Sequence, residues 1–140
     1  MADDERIGTL ISDVERYMSD LEEMGISSAD ELSEKKDYYS ASMILFSLMN
    51  RCIDLGEEIL SINKLGVPKS YRDIFKILKD KSIIDNILYE KLSDIVYYRN
   101  MLAHEYQEYT ADDVFKMAEE SSCINDFVEA VRPFARGKSD

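Results

Sequence analysis

Apolar residues recur every three or four positions along almost the whole chain, the period of an α-helix rather than the alternation of a strand. Ile7, Leu10, Ile11, Val14, Met18 and Leu21 share one face of a first helix over about residues 3–24, with Asp3 and Asp4 placed to cap its start and Gly25 to end it. Ser28-Ala29-Asp30-Glu31 has the spacing of a capping box and predicts a long second helix reaching about Lys64, where Gly66 and Pro68 stop it. Tyr39, Met43, Phe46, Ile53 and Leu60 make one stripe on that helix; Leu45, Leu48, Met49, Cys52 and Leu55 add a second apolar side. A helix apolar on two sides must bury both, inside the bundle or against a partner chain. A short third helix is expected near 69–79 with Ile74, Phe75, Ile77 and Leu78. A fourth follows over about 84–103 with Leu88, Leu92, Ile95, Val96 and Leu102. Thr110 and Asp113 cap a fifth, whose Val114, Met117, Ile124, Phe127, Val128 and Val131 face inward. The pattern predicts an all-α, up-and-down bundle of about five helices in one domain over 1–140: an acidic first helix, a body over about 28–132 and a polar tail from Pro133.

Composition narrows the class. A chain of 140 residues with 45% apolar and 33% charged positions can bury a core without disulfides or metals. It has no apolar run of about 18 residues and no basic-apolar leader, so no membrane is involved and the cytoplasm is the expected location. Cys52 and Cys123 are too few for a disulfide framework or a thiolate metal site and read as small buried residues. The net charge of -12 is uneven: residues 1–34 carry eleven acids against Arg6 and Arg16. That balance opposes nonspecific nucleic-acid binding, which rests on basic surface. Residues 64–81 run the other way, with Lys64, Lys69, Arg72, Lys76, Lys79 and Lys81 against Asp73 and Asp80. Their local net of +4 is either a solvated helix face or an RNA track, with Lys69, Arg72 and Lys76 as its contacts.

Chemistry concentrates at the end of the fourth helix, in Tyr97-Tyr98-Arg99-Asn100-Met101-Leu102-Ala103-His104-Glu105-Tyr106. His104 is the sole histidine, so a metal site with several imidazoles is excluded within one chain and no metal or other cofactor is expected. Five residues on an ideal helix turn by about 140°, so Arg99 and His104 converge only if the helix ends around Leu102-Ala103. The charged and aromatic residues after His104, before the next cap at Thr110, make that ending plausible.

Arg99-Asn-Met-Leu-Ala-His104-Glu-Tyr106 resembles the signature of the HEPN superfamily, an Arg followed four to six residues later by a His, often with Asn directly after the Arg. The Tyr two residues past the His resembles the HepT branch, the toxin half of HEPN/MNT toxin-antitoxin pairs. Asp54-Leu-Gly-Glu-Glu58 on the long helix, and Leu65-Gly-Val-Pro-Lys-Ser-Tyr-Arg72 leading into a short one, resemble the same family's central region, so the similarity runs from about Tyr38 to Val131. The resemblance implies a homodimer of helical bundles, with two Arg/His pairs meeting in one cleft, acting as a metal-independent endoribonuclease. It implies Arg99 and His104 as catalytic residues, Asn100 in support, and Tyr106 as the residue to which a nucleotidyltransferase antitoxin of the MNT type adds AMP. The chain before about Lys36 matches no part of that pattern and inherits no role.

The residue chemistry agrees with that implication. Metal-free RNA cleavage uses the ribose 2′-hydroxyl as nucleophile and needs a proton carrier, which imidazole suits. It also needs a cation for the charged phosphorane, which a forked guanidinium suits. One His per chain is too few for both acid and base, and a two-fold dimer supplies two. Asp54, with Glu57 and Glu58, is placed to orient the Arg or His by hydrogen bonding, or to lie on the surface. The competing reading is a non-catalytic dimeric interaction module that docks a protein partner through its acidic N-terminal helix.

Overall fold

The computed structural model describes residues 2–104 and 109–137, with side chains from Glu5 onward. Six α-helices and two short 3-10 turns are formed among these residues: α1 (Ala2–Glu23), α2 (Lys35–Ile62), α3 (Tyr71–Asp80), α4 (Asn86–Ala103), α5 (Ala111–Glu120) and α6 (Cys123–Val131). The fold is all-α, and no described helix is long and apolar enough to cross a membrane.

Local signals explain most of the boundaries. Gly25 takes the left-handed conformation (φ 61°) that ends α1. Ser70 accepts from the Asp73 N–H at the start of α3, and Asp85 accepts from the Leu88 N–H at the start of α4. Thr110 and Asp113 form a reciprocal capping box on α5, as their spacing predicts. Other boundaries depart from the reading. Ser28 opens only a 3-10 turn (Ala29–Leu32) and makes no side-chain cap, because Glu31 instead accepts from both the N–H and the hydroxyl of Ser27. The long helix therefore starts at Lys35. It ends before Gly66, with Lys64 left-handed (φ 54°) and the Leu65 N–H bonded back to the Leu60 carbonyl. The expected fifth helix is two, broken at Ser121 and Ser122, where the buried Ser121 hydroxyl donates to the Ala118 carbonyl. The fold also continues past Pro133. Asn63 is buried and donates to the carbonyls of Ile59 and Phe134, which fastens the 3-10 turn Arg132–Phe134 to the end of α2.

The core runs along α2, whose Leu45, Leu48, Met49, Cys52, Leu55, Ile59 and Leu60 are sealed from solvent. α1 lies antiparallel to it: Arg6 meets Glu58, and further along α1 Asp13 meets Arg51 earlier on α2. Both cysteines are buried, and burial pushes the Cys52 thiol up, as suits an inert apolar residue. Gly56 lets α3 close on α2; a Cβ there would stand 2.8 Å from Ile74 Cγ2. The stripe of Tyr39, Met43, Phe46, Ile53 and Leu60 divides. Ile53 and Leu60 are buried, whereas Tyr39 and Met43 stay 61% and 71% exposed.

Candidate active site

α4 carries aliphatic residues along its inner face until its last turn. Leu92 and Ile95 are fully buried, and Arg99 follows them at the same angular position, seven and four residues on. A cation thus occupies the next position of a core-facing line, directed at α2 rather than away from the bundle. Its Nε–H donates to Asn50 Oδ1 (2.8 Å) and one terminal nitrogen donates to Asn100 Oδ1 (3.2 Å). The guanidinium carbon lies 5.5 Å from the Phe46 ring centroid and 5.1 Å from that of Tyr71. Two amide oxygens and two aromatic faces hold Arg99, and no carboxylate among the described residues pairs with it. Among the described residues its side-chain bonds go to amide side chains and not to the last carbonyls of α4.

Amide dipoles and π faces of this kind orient a guanidinium and supply no counter-charge of their own. Asn50 is the residue that sequence reasoning passed over. Its only local signal is an amide within an otherwise apolar stretch of α2, on the face of Tyr39, Met43 and Phe46.

His104 stands where α4 stops. It is the C-cap, half-buried, with extended backbone (φ -104°, ψ 109°) and its N–H on the Met101 carbonyl (3.4 Å). The helix therefore ends at the point that convergence of Arg99 and His104 requires. Tyr106 lies outside the described residues. The chain is next described at Tyr109, which Tyr38 of α2 anchors: the Tyr38 hydroxyl donates to the Tyr109 carbonyl (2.8 Å), and the rings stack at 5.8 Å. Burial, with Tyr109 close by, pushes the Tyr38 hydroxyl up to about 12.

The other singled-out residues fall around this centre or away from it. Asp54 is one turn beyond Asn50 and accepts from Arg51 (2.9 Å), which also reaches Asp13. The group on α2 that meets Arg99 is thus the Asn50 amide and not the Asp54 carboxylate. Lys69 precedes α3 and gives its backbone N–H to Asp73 (2.9 Å). Arg72 and Lys76 are exposed on α3, Lys76 in a loose pair with Asp80 (3.5 Å). Tyr71, the first residue of α3, is what joins that basic helix to Arg99. Two concave sites of the single chain, one by Met18, Leu21 and Phe115 and one by Asp94, Glu120 and Cys123, do not include Arg99.

The fold has known counterparts. The mRNA nuclease HepT of Shewanella oneidensis is 32% identical over 83 residues, 57% of this chain and 62% of that protein, so the match spans less than two thirds of the relative. A solved, tri-AMPylated Shewanella oneidensis HEPN toxin in complex with MNT antitoxin shares the fold at 25% identity and a TM-score of 0.81, covering 91% of this chain and 96% of that one. A toxin-antitoxin structure with AMP-PNP superposes at a TM-score of 0.82 with 23% identity, over 91% and 97% of the two chains. The family model of the ribonuclease HepT-like proteins matches residues 14–132, from within α1 to the last 3-10 turn. The acidic first helix, for which the sequence alone offered no counterpart, is therefore partly inside the matched fold. With that match over most of its length, and Arg99 and His104 at the end of α4, the chain belongs to the ribonuclease HepT-like family.

Proposed function

We propose that this protein is the toxin of a HEPN/MNT-type pair and a metal-independent endoribonuclease. In this reading the Arg99 guanidinium stabilises the charged phosphorane as the 2′-hydroxyl attacks, and His104 moves the proton. Asn50 holds Arg99 by its Nε and Asn100 by one terminal nitrogen. The observation that carries the reading is the state of Arg99: an oriented, half-buried cation with no carboxylate partner among the described residues, in a protein with 29 acids and 17 bases. Evolving charge on a phosphate is the natural complement of such a group.

The active unit is a homodimer. Tyr39, Met43 and Phe46 form an apolar stripe leading to Asn50 on the outer face of α2, and Tyr39 and Met43 are mostly exposed in the single chain. A second copy on this face would cover them and bring two Arg/His sets together, giving the acid and the base that one histidine cannot supply. Control comes from an MNT-type nucleotidyltransferase that adds AMP to Tyr106, two residues beyond His104; the tri-AMPylated relative supports this.

The test is cleavage of single-stranded RNA by the full chain in excess chelator, wild type against His104→Ala, with intact mass measured to detect AMP. Chelator-resistant cleavage that disappears in the variant is expected. Unmodified wild type that leaves several RNAs intact would overturn the reading.

A further inference from the structure

Resting on the ribonuclease reading, we propose that Tyr71 is the base-stacking platform of the site and that α3 guides the strand away from it. The substrate class is then RNA unpaired at the nucleotide being cut. Tyr71 is held beside Arg99, its ring centroid 5.1 Å from the guanidinium carbon, yet it remains 41% exposed. A flat aromatic beside an oriented cation offers a stacking surface for a base next to a contact for its phosphate, the pairing that single-strand sites use. A duplex keeps its bases stacked and paired and cannot offer one to this ring.

α3 supplies the continuation. Ile74, Phe75 and Leu78 are buried, and Arg72, Lys76 and Lys79 share a neighbouring face at the i, i+4, i+7 spacing. That face covers about 10 Å of helix from Arg72 to Lys79, starting beside Tyr71. Lys79 lies over the Tyr89 ring at 4.7 Å, and the Lys76–Asp80 pair is more than half exposed on both sides, so a phosphate displaces it at little cost. The rest of the surface is dominated by acids, which repel RNA and leave this basic face, continuous with Arg99, as the favourable path.

The experiment measures binding by fluorescence anisotropy with the full-length His104→Ala protein, so that cleavage does not interfere. The probes are a short single-stranded RNA, the same strand annealed to its complement, and the same strand with an abasic nucleotide at the cut position mapped with wild type. Tyr71→Leu is expected to weaken single-strand binding about tenfold, the size of one base–aromatic stack, with Tyr71→Phe restoring it. The abasic strand should bind about tenfold less well to the parent protein and show no further loss with Tyr71→Leu, since both changes remove the same contact. Changing Arg72, Lys76 and Lys79 together to Gln should reduce the salt slope by about two, near 0.7 per phosphate contact. Unchanged single-strand affinity for Tyr71→Leu, or equal abasic penalties in both proteins, overturns the proposal. So does a Gln triple variant that keeps its RNA affinity and its salt slope. If Arg99→Ala abolishes RNA binding and Tyr71→Leu does not, only this inference falls; if neither matters, the ribonuclease site itself is wrong.

Discussion

The seam between α1 and α2 and the seam between α2 and α4 treat arginine in opposite ways. At the first, Arg6 meets Glu58 at 3.2 Å, and Arg51 meets both Asp13 at 3.4 Å and Asp54 at 2.9 Å. At the second, Arg99 meets Asn50, Asn100, Phe46 and Tyr71. Each arrangement orients a guanidinium, but among the described residues only the first does so with carboxylates. In a protein this acidic, a carboxylate is the neighbour to expect of a cation, so an Arg held by amides and rings supports the role proposed for Arg99 toward a phosphate. The first seam is structural and weakly so, since its ion pairs are substantially exposed and such pairs contribute about 0–1 kcal/mol.

The sharpest way to break this contrast is to replace Arg99 itself. Arg99→Lys keeps a charge but loses the fork, and cleavage should fall by about 100-fold or more while the melting temperature barely moves, as for removal of an oriented transition-state donor. Next, Asn50→Asp makes the second seam resemble the first by putting a carboxylate on the Arg99 Nε–H. Cleavage should drop about tenfold, as a ~1.4 kcal/mol loss of transition-state stabilisation, with stability held or raised; unchanged kinetics would show that the neutral setting of Arg99 is irrelevant. Arg6→Ala probes the structural seam alone. Denaturant unfolding should register a loss under about 1 kcal/mol, and cleavage should match wild type.

The smallest expected effect is a pH dependence at the Tyr38–Tyr109 anchor. The Tyr38 hydroxyl is raised from 10.0 to about 12 by burial, so the folded state holds this proton more tightly than the unfolded chain. Its contribution to stability is complete below pH 10 and is lost as pH rises toward about 12. Thermal melts of wild type should therefore fall more steeply across that window than those of Tyr38→Phe. Parallel curves would mean that the hydroxyl bond to the Tyr109 carbonyl adds nothing.

Much of this molecule follows from local pattern. The helical period, the caps at Thr110 and the stop at Gly25 depend on residues within one or two turns of each other, and they form as their spacing predicts. The same locality explains the misses: Ser28 and Glu31 had the right spacing, but Ser27 supplied a competing pair of donors for the same carboxylate. The Arg99-to-His104 segment was legible because both residues lie near one helix end. Asn50 was not, since nothing near it in the sequence distinguishes an amide that will hold a distant guanidinium from one that faces water.

By itself, then, the sequence determined an all-α chain, an acidic front, a basic third helix and the positions of an Arg and a His at the close of α4, all carried by spacing and side-chain chemistry. Tertiary structure alone decided what surrounds Arg99. Asn50 is 49 residues away along the chain, Phe46 and Tyr71 belong to two other helices, and only the packing of α2 and α3 against the last turn of α4 brings them together.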